Sequence, residues 1–271
     1  MATQPAAGAW DEDPAGASIV LATGRQRHDL LVVAESGLLT ELDETWGRPS
    51  SRVRMSFLPG VSAPVGSGQE DALCSYDHDG VGVLVARGRT SLFEGVPARS
   101  TTALARIAPG AGVRAALLVT RAVSLGGSAP GDFVALSDHL NLVGMPLFPA
   151  NTTVEASWDQ SLTAELSGLD GVRSSAVAAL TPGPVRPSPT EARVLAALGA
   201  DVVVTDTVAE AMALSSRGVR VAALALIDAV AGTESRGGGR RAAAPPTTDF
   251  RQTPAPDLVL TAVERVIAAL G

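Results

Sequence analysis

Asp29-Leu30-Leu31-Val32-Val33-Ala34 sets five consecutive apolar residues behind one carboxylate, and such a run cannot be a strand with one wet face, because that strand would alternate. It has to be covered on both sides. Six further runs of strand length follow, at Val81–Ala86, Ala115–Thr120, Phe133–Ser137, Ser175–Leu180, Asp201–Thr205 and Val219–Leu226. Helix-length amphipathic segments punctuate them, and that alternation is the signature of an α/β domain. Thr190–Leu198 follows Pro187 and Pro189 with Ser188 or Thr190 available as its cap, and Thr207–Arg217 directs Val208, Ala211, Met212 and Leu214 toward a core. A shorter helical stretch covers Leu38–Asp43. The last segment, Asp257–Leu270, repeats apolar residues on a helical period behind an aspartate that suits a helix N-terminus.

Gly232–Pro256 is of another kind, rich in Gly, Pro, Ala, Thr and Arg, and buries too little apolar area to offset ordering, so a mobile loop is expected there. Residues 1–13 are expected to be a flexible N-terminus, which leaves 14–271 as a single domain. With 271 residues of which 46% are hydrophobic, the chain has enough apolar material for a large core.

The missing residue types bound the chemistry. All 21 basic residues are arginine, so Schiff-base catalysis, a P-loop and a lysine general base are excluded. Cys74 is the single cysteine, which excludes an internal disulfide and a cysteine zinc cluster; His28, His78 and His139 are scattered, and no metal site is assigned. A net charge of -7 argues against a sequence-independent nucleic-acid binder. No apolar run approaches the roughly 18 residues that would span a bilayer. The acidic stretch Met1–Asp13 lacks the basic start of a secretion signal, so a cytoplasmic protein with no membrane partner is expected.

Ala116-Leu117-Leu118-Val119-Thr120-Arg121-Ala122, followed by Gly131-Asp132, a short apolar strand and Asp138-His139-Leu140-Asn141, resembles the trimeric purine nucleoside phosphorylases. In that family a Val-Thr-Asn-Ala-Ala-Gly turn precedes Gly-Asp and Asp-His-x-Asn, and the spacing of the last two is matched without a gap. Val33-Ala34-Glu35-Ser36-Gly37-Leu38 resembles the family's first phosphate turn, and Gly88-Arg89-Thr90-Ser91-Leu92-Phe93-Glu94-Gly95 its Gly-Arg-x-His-x-Tyr-Glu-Gly block. Gly183-Pro184, Glu191–Leu195, Leu198–Asp201 and Thr207–Glu210 follow in the family's order. The resemblance covers about Asp29 to Leu226. It implies a phosphorylase/hydrolase-like three-layer α/β fold with a mixed, partly barrel-closed central sheet flanked by helices, assembled as a homotrimer around clefts for a small-molecule ligand. The implied reaction is attack of phosphate on the anomeric carbon of a purine nucleoside, with phosphate as co-substrate and no other cofactor.

The family's site residues carry over unevenly. Ser36 and Arg89 match phosphate-binding positions, and Ala122, in the turn headed by Arg121, is grouped with them. Glu35 replaces a glycine of the phosphate turn, Ser91 replaces a phosphate-contacting histidine, and a second histidine falls near Gln69. Asp206 stands for a serine that touches phosphate. Pro187 and Arg186 stand for the base-binding glutamate and its stacking phenylalanine, and Ala229, beside Asp228, for the asparagine that stabilises the leaving base. The segment after Asn141 is shorter than the family's. On this basis Asp206, Asp228 and Arg121 are the candidate catalytic residues; Ser36, Arg89 and Ala122 the candidate anion site; and Arg186, Ser91 and Thr205 the candidate ligand contacts.

Several candidates also have a structural alternative, solvent-facing side chains for Arg121 and Arg186 among them. Asp206 serves as an N-cap, Ser36 turns the chain, Arg89 pairs with Glu94 on the surface, and Asp228 is a turn residue. His139, with Asp138 and Asn141, holds the fold. Three functions stay open: a repurposed enzyme of non-phosphorolytic chemistry on a small polar or anionic, nucleoside-derived or unrelated metabolite, which the replaced residues favour; a genuine purine nucleoside phosphorylase with a rewired site; and a non-catalytic binding or assembly protein.

Overall fold

The computed structural model of the chain describes residues 16–143, 154, 156–183, 186–232 and 257–271. The expected flexible N-terminus, most of the expected mobile loop, Pro184 and most of the short segment after Asn141 lie outside the described residues. In chain order the elements are α1 (Ala17–Thr23), β1 (Leu30–Val33), α2 (Thr40–Trp46), β2 (Ser51–Val53), β3 (Leu73–His78), β4 (Val81–Ala86), α3 (Ala98–Thr101), α4 (Ala103–Ile107), β5 (Ala115–Ser124), β6 (Phe133–Asn141), α5 (Gln160–Ser167), β7 (Val172–Leu180), α6 (Pro189–Ala197), β8 (Val202–Val204), α7 (Val208–Ser215), β9 (Arg220–Val230) and α8 (Leu258–Ala268).

Nine strands form one mixed sheet in the order β2-β3-β4-β1-β5-β8-β7-β6-β9, and an additional β5–β9 pairing closes the last five into a barrel. The partial closure that the resemblance implies is therefore present. Strands β4, β1, β5 and β9 run parallel, so their carboxyl ends gather on one edge, where ligands bind in open α/β sheets.

The unbroken apolar runs are explained by cover on both faces. Leu31 and Val33 of β1 enter a core layer with Val208, Ala211 and Leu214 of α7. Leu30 and Val32 enter the opposite layer with Leu162 and Leu166 of α5 and Leu258, Val259 and Val263 of α8. The helix expected over Thr207–Arg217 is shorter, and Ser188 caps α6 with a full capping box in which Glu191 returns a bond to the Ser188 N–H. Thr190, the other expected cap, lies inside that helix.

Two backbone devices shape the edge where the site lies. A Cβ at Gly88 would come within 2.7 Å of the Glu70 carbonyl oxygen, so only glycine lets the chain leave β4 this close to its neighbour and deliver Arg89. The second is a β-bulge in β9: Ala122 pairs with Ile227 and Val123 with Ala229, leaving Asp228 as the extra residue. A bulge re-aims a side chain, and this one presents the Asp228 carboxylate beside Arg121.

Candidate active site

At the carboxyl ends of the parallel strands lies a cleft of about 350 Å3. Its walls come from the turn after β1 (Glu35), the glycine-rich loop 66–69, the block after β4 (Arg89, Ser91), the middle of β5 (Thr120, Arg121), the turn after β8 (Thr205, Asp206) and the β9 bulge (Asp228). Arg121 sits where β5 leaves the open sheet and enters the barrel. Its Nε donates to Glu35 Oε1 at 2.7 Å, Nη2 donates to the same oxygen, and Nη1 donates to Asp228 Oδ1. One guanidinium is thus held between two carboxylates contributed by strands far apart in sequence.

Arg89 forms the floor, and its residue is 7% exposed. Nη1 donates to the Val119 carbonyl at 2.8 Å and to Asp206 Oδ1 at 3.4 Å, while Nη2 donates to the Val33 carbonyl at 3.1 Å. Behind it, Glu210 Oε2 lies 3.0 Å from Arg89 Nε. Burial opposes the Arg89 charge, but Glu210, Asp206 and Glu35 outweigh it and hold the guanidinium protonated. Asp206 also accepts from the hydroxyls of Thr120 at 2.7 Å, Thr207 at 2.8 Å and Ser91 at 3.2 Å. Thr207 has a φ of 60°, and the bond from Val208 N to the Asp206 carbonyl closes a strained γ-turn around it. The three hydroxyls and the Arg89 guanidinium hold the Asp206 carboxylate facing the floor.

Burial pushes Glu35 above the usual carboxylate range; Arg121 pulls it down and Asp228 pushes it up. Burial likewise pushes Glu210 up to about 7, against the pull of Arg89. A carboxyl raised by burial and facing a cleft, as Glu35 is, suits acid–base chemistry.

Six of the nine sequence candidates line this cleft: Arg89, Ser91, Arg121, Thr205, Asp206 and Asp228. Three do not. The Ser36 hydroxyl donates to the Arg87 carbonyl at 3.3 Å and is not part of the cleft lining. Ala122 is buried in the core, 3% exposed, and is not part of the cleft lining. Arg186 is exposed on an adjoining groove with Pro187 and Glu191, outside the cleft.

The structural alternatives divide as well. Thr207, not Asp206, holds the N-cap position of α7, and no side chain caps it. Arg89 does not meet Glu94, whose carboxylate instead accepts from Ser91 N and Val65 N. Asp228 is a bulge residue within a strand. His139 accepts from Trp158 Nε1 at 3.1 Å through Nδ1, which ties β6 to the segment before α5, while Asp138 accepts from His139 N and Asn141 from Val143 N in local turns; none of the three lines the cleft.

The sequence motifs point to neither Thr120, Glu210 nor Gly66–Gly68, and Glu35 stands in them only as a repulsive substitution. The available signals were the Gly66-Ser67-Gly68 spacing and a lone carboxylate among the alanines of α7. Among the described residues no group of three His, Cys, Asp or Glu could hold a metal ion, and no helix is long and apolar enough to cross a membrane.

Residues 50–255 match the family model of the phosphorylase superfamily. The chain is 32% identical to the purine nucleoside phosphorylase of Mycobacterium leprae over 208 residues, 76% of this chain and 77% of that one. It is 30% identical to the purine nucleoside phosphorylase of Cellulomonas sp over 221 residues, 77% of each chain. Among solved structures, the purine nucleoside phosphorylase of Schistosoma mansoni in complex with acetate superposes with a TM-score of 0.73 over 94% of both chains at 20% identity, a likeness of fold. The chain belongs to the phosphorylase superfamily and, within it, to the nucleoside phosphorylase family.

Proposed function

We propose that this purine-nucleoside-phosphorylase-like protein uses its cleft for non-phosphorolytic chemistry on a small polar metabolite of nucleoside type. One observation carries the reading: each arginine in the cleft is already paired with two carboxylates of the chain, Arg121 with Glu35 and Asp228, Arg89 with Asp206 and Glu210. A dianion entering here meets more negative than positive charge. A like-charge contact near 4 Å costs about 4 kcal/mol at an effective dielectric constant near 20, so Glu35 or Asp228 alone offsets much of what an arginine offers. Between the polar and anionic ligands left open by the sequence, this arrangement favours the neutral one, whose hydroxyl and N–H groups donate to the carboxylates.

In this reading Glu35 holds or releases the proton, Arg121 and Asp228 orient the ligand, and Asp206 with Thr120 and Ser91 forms a fixed polar floor. No cofactor is invoked, and the assembly is a cytoplasmic homo-oligomer, a trimer by resemblance. Ordinary phosphorolysis is the competing reading, favoured by the 32% identity to a purine nucleoside phosphorylase over three-quarters of the chain.

The deciding experiment follows hypoxanthine release from inosine with and without phosphate, beside a thermal-shift panel of nucleosides, purines and phosphate. The expected result is no phosphate-dependent release above background and, at neutral pH, a melting shift from nucleosides that exceeds any from phosphate. Phosphate-dependent release at an enzymatic rate overturns the proposal, and no shift from any nucleoside favours a non-catalytic role.

A further inference from the structure

Glu210 is a buried carboxyl behind the cleft floor that the proposed chemistry does not use. Its Oε2 approaches Arg89 Nε to 3.0 Å without hydrogen-bond alignment, and neither atom has a hydrogen-bond partner among the described residues. The two amino groups of Arg89 are fixed on the Val119 and Val33 carbonyls. The guanidinium therefore cannot swing away, and its charge is shared between Asp206 on the cleft side and Glu210 behind.

We infer that Glu210 is a positioning residue that sets whether Arg89 offers its charge to an anionic group in the cleft, withholding it when ionised and releasing it on taking up a proton. The inference rests on the reading that the chain's own carboxylates set the charge of the cleft.

The surroundings leave little else to tune Glu210. Burial raises it to about 7; Arg89 pulls it down and Asp206, on the turn after β8, pushes it up. Uncharged Thr90, Leu92 and Thr101 complete the small space around it. Helix α4 packs on α7, and its one charged residue, Arg106, donates to the Arg99 carbonyl at 2.8 Å. Strand β9 also packs on α7, and its charged residues Arg220 and Asp228 pair with Asp159 and Arg121. A group with two charged neighbours, one of them the arginine it controls, is suited to couple a proton to an anion.

The probe is sulfate, whose charge stays constant from about pH 5.5 to about pH 8.5 while Glu210 titrates between. Calorimetric titration of the wild type is expected to show affinity falling about tenfold as pH rises through about 7, a difference that corresponds to one altered charge contact. Reciprocity then requires proton uptake on sulfate binding near pH 8, read in two buffers of different ionisation heat, a measurement that needs no variant. Glu210→Gln is expected to lose the tenfold step near pH 7 and the proton uptake that goes with it, keeping only the contribution of Glu35. Wild-type binding without proton uptake, a Gln variant that keeps the wild-type slope, or no sulfate binding by either protein overturns the inference. Phosphate-dependent inosine cleavage would remove the proposed function and leave this linkage standing, so the two fail separately.

Discussion

Arg87 and Arg89 stand two residues apart at the end of β4, and both are buried arginines boxed by two carboxylates, yet the two boxes differ in kind. Arg87 grips Asp43 through two bonds of 2.7 Å and reaches Glu70 at 3.2 Å, but the side chains of Asp43 and Glu70 are 37% and 40% exposed. The carboxylates around Arg89 are the buried ones, Glu210 at 10% and Asp206 at 16%. Burial would raise Glu70, but Ser36, Arg87 and Arg52 outweigh it and hold it below the usual range, whereas Glu210 rises to about 7. Pairing alone does not fix a carboxylate's charge. The solvent left on the carboxylate side does, so the wall at Arg87 is an inert brace and the floor at Arg89 responds to protons.

Removing the cation separates the two most strongly. Arg89→Met leaves Glu210 and Asp206 buried without their counter-charge, and the expected loss is about 3–5 kcal/mol by urea unfolding at neutral pH. The next largest effect needs no arginine substitution. Glu210 binds its proton more tightly folded than unfolded, so its contribution to stability falls as pH rises from about 4.5 to about 7, by about 3 kcal/mol. His28, fully buried with Nε2 3.0 Å from Ser75 Oγ, is lowered to about 4 by burial. It binds its proton less tightly folded, so its contribution rises by a similar amount, about 3 kcal/mol, between about pH 4 and about 6.5. In the wild type the two slopes oppose each other, and Glu210→Gln is expected to expose the rising limb of His28; parallel stability profiles for the two proteins would contradict the assignment. Third comes Arg87→Met, expected to cost only about 1–2 kcal/mol because Asp43 and Glu70 rehydrate. Equal losses for the two arginine variants would erase the distinction between wall and floor.

What could be seen in the sequence follows the same division between local and long-range causes. The unbroken apolar runs mark β1 and β4 nearly to the residue and the first six residues of β5, because burial on both faces leaves a pattern in the chain itself; the end of β5 from Arg121 to Ser124, where it enters the barrel, carries no such run. Strand β3, Leu73-Cys74-Ser75-Tyr76-Asp77-His78, escaped notice because its polar alternation is that of ordinary loop sequence until β2 and β4 pair on either side. Barrel closure depends on the β5–β9 pairing, which no window of sequence contains, and came only through family resemblance. The site shows the same limit. Arg121 and Asp228 could be named as cleft residues, but that Glu35 lies against Arg121 depends on strands 86 positions apart being neighbours. Arg186 lies on a different groove from the cleft, one lined by residues of α6, and its place in a motif does not show that.

The smallest expected effect tests the mouth of the cleft, which lies between those two extremes. Arg121 is 25% exposed, and of its partners Asp228 is 24% exposed while Glu35 is only 7%. Arg121→Ala lets Asp228 rehydrate but takes from buried Glu35 the group that most opposes the effect of its burial. Glu35 is already raised and should rise further, so the folded state of the variant holds a proton that the unfolded state gives up more readily. Stability then declines as pH climbs above the ordinary glutamate range. The cost of Arg121→Ala should be smallest at acid pH, about 1 kcal/mol or less, and should grow steadily toward pH 8 in paired urea titrations. A cost independent of pH would mean that solvent reaches Glu35 as freely as it reaches Glu70, and the mouth would then belong with the brace at Arg87 instead of with the floor at Arg89.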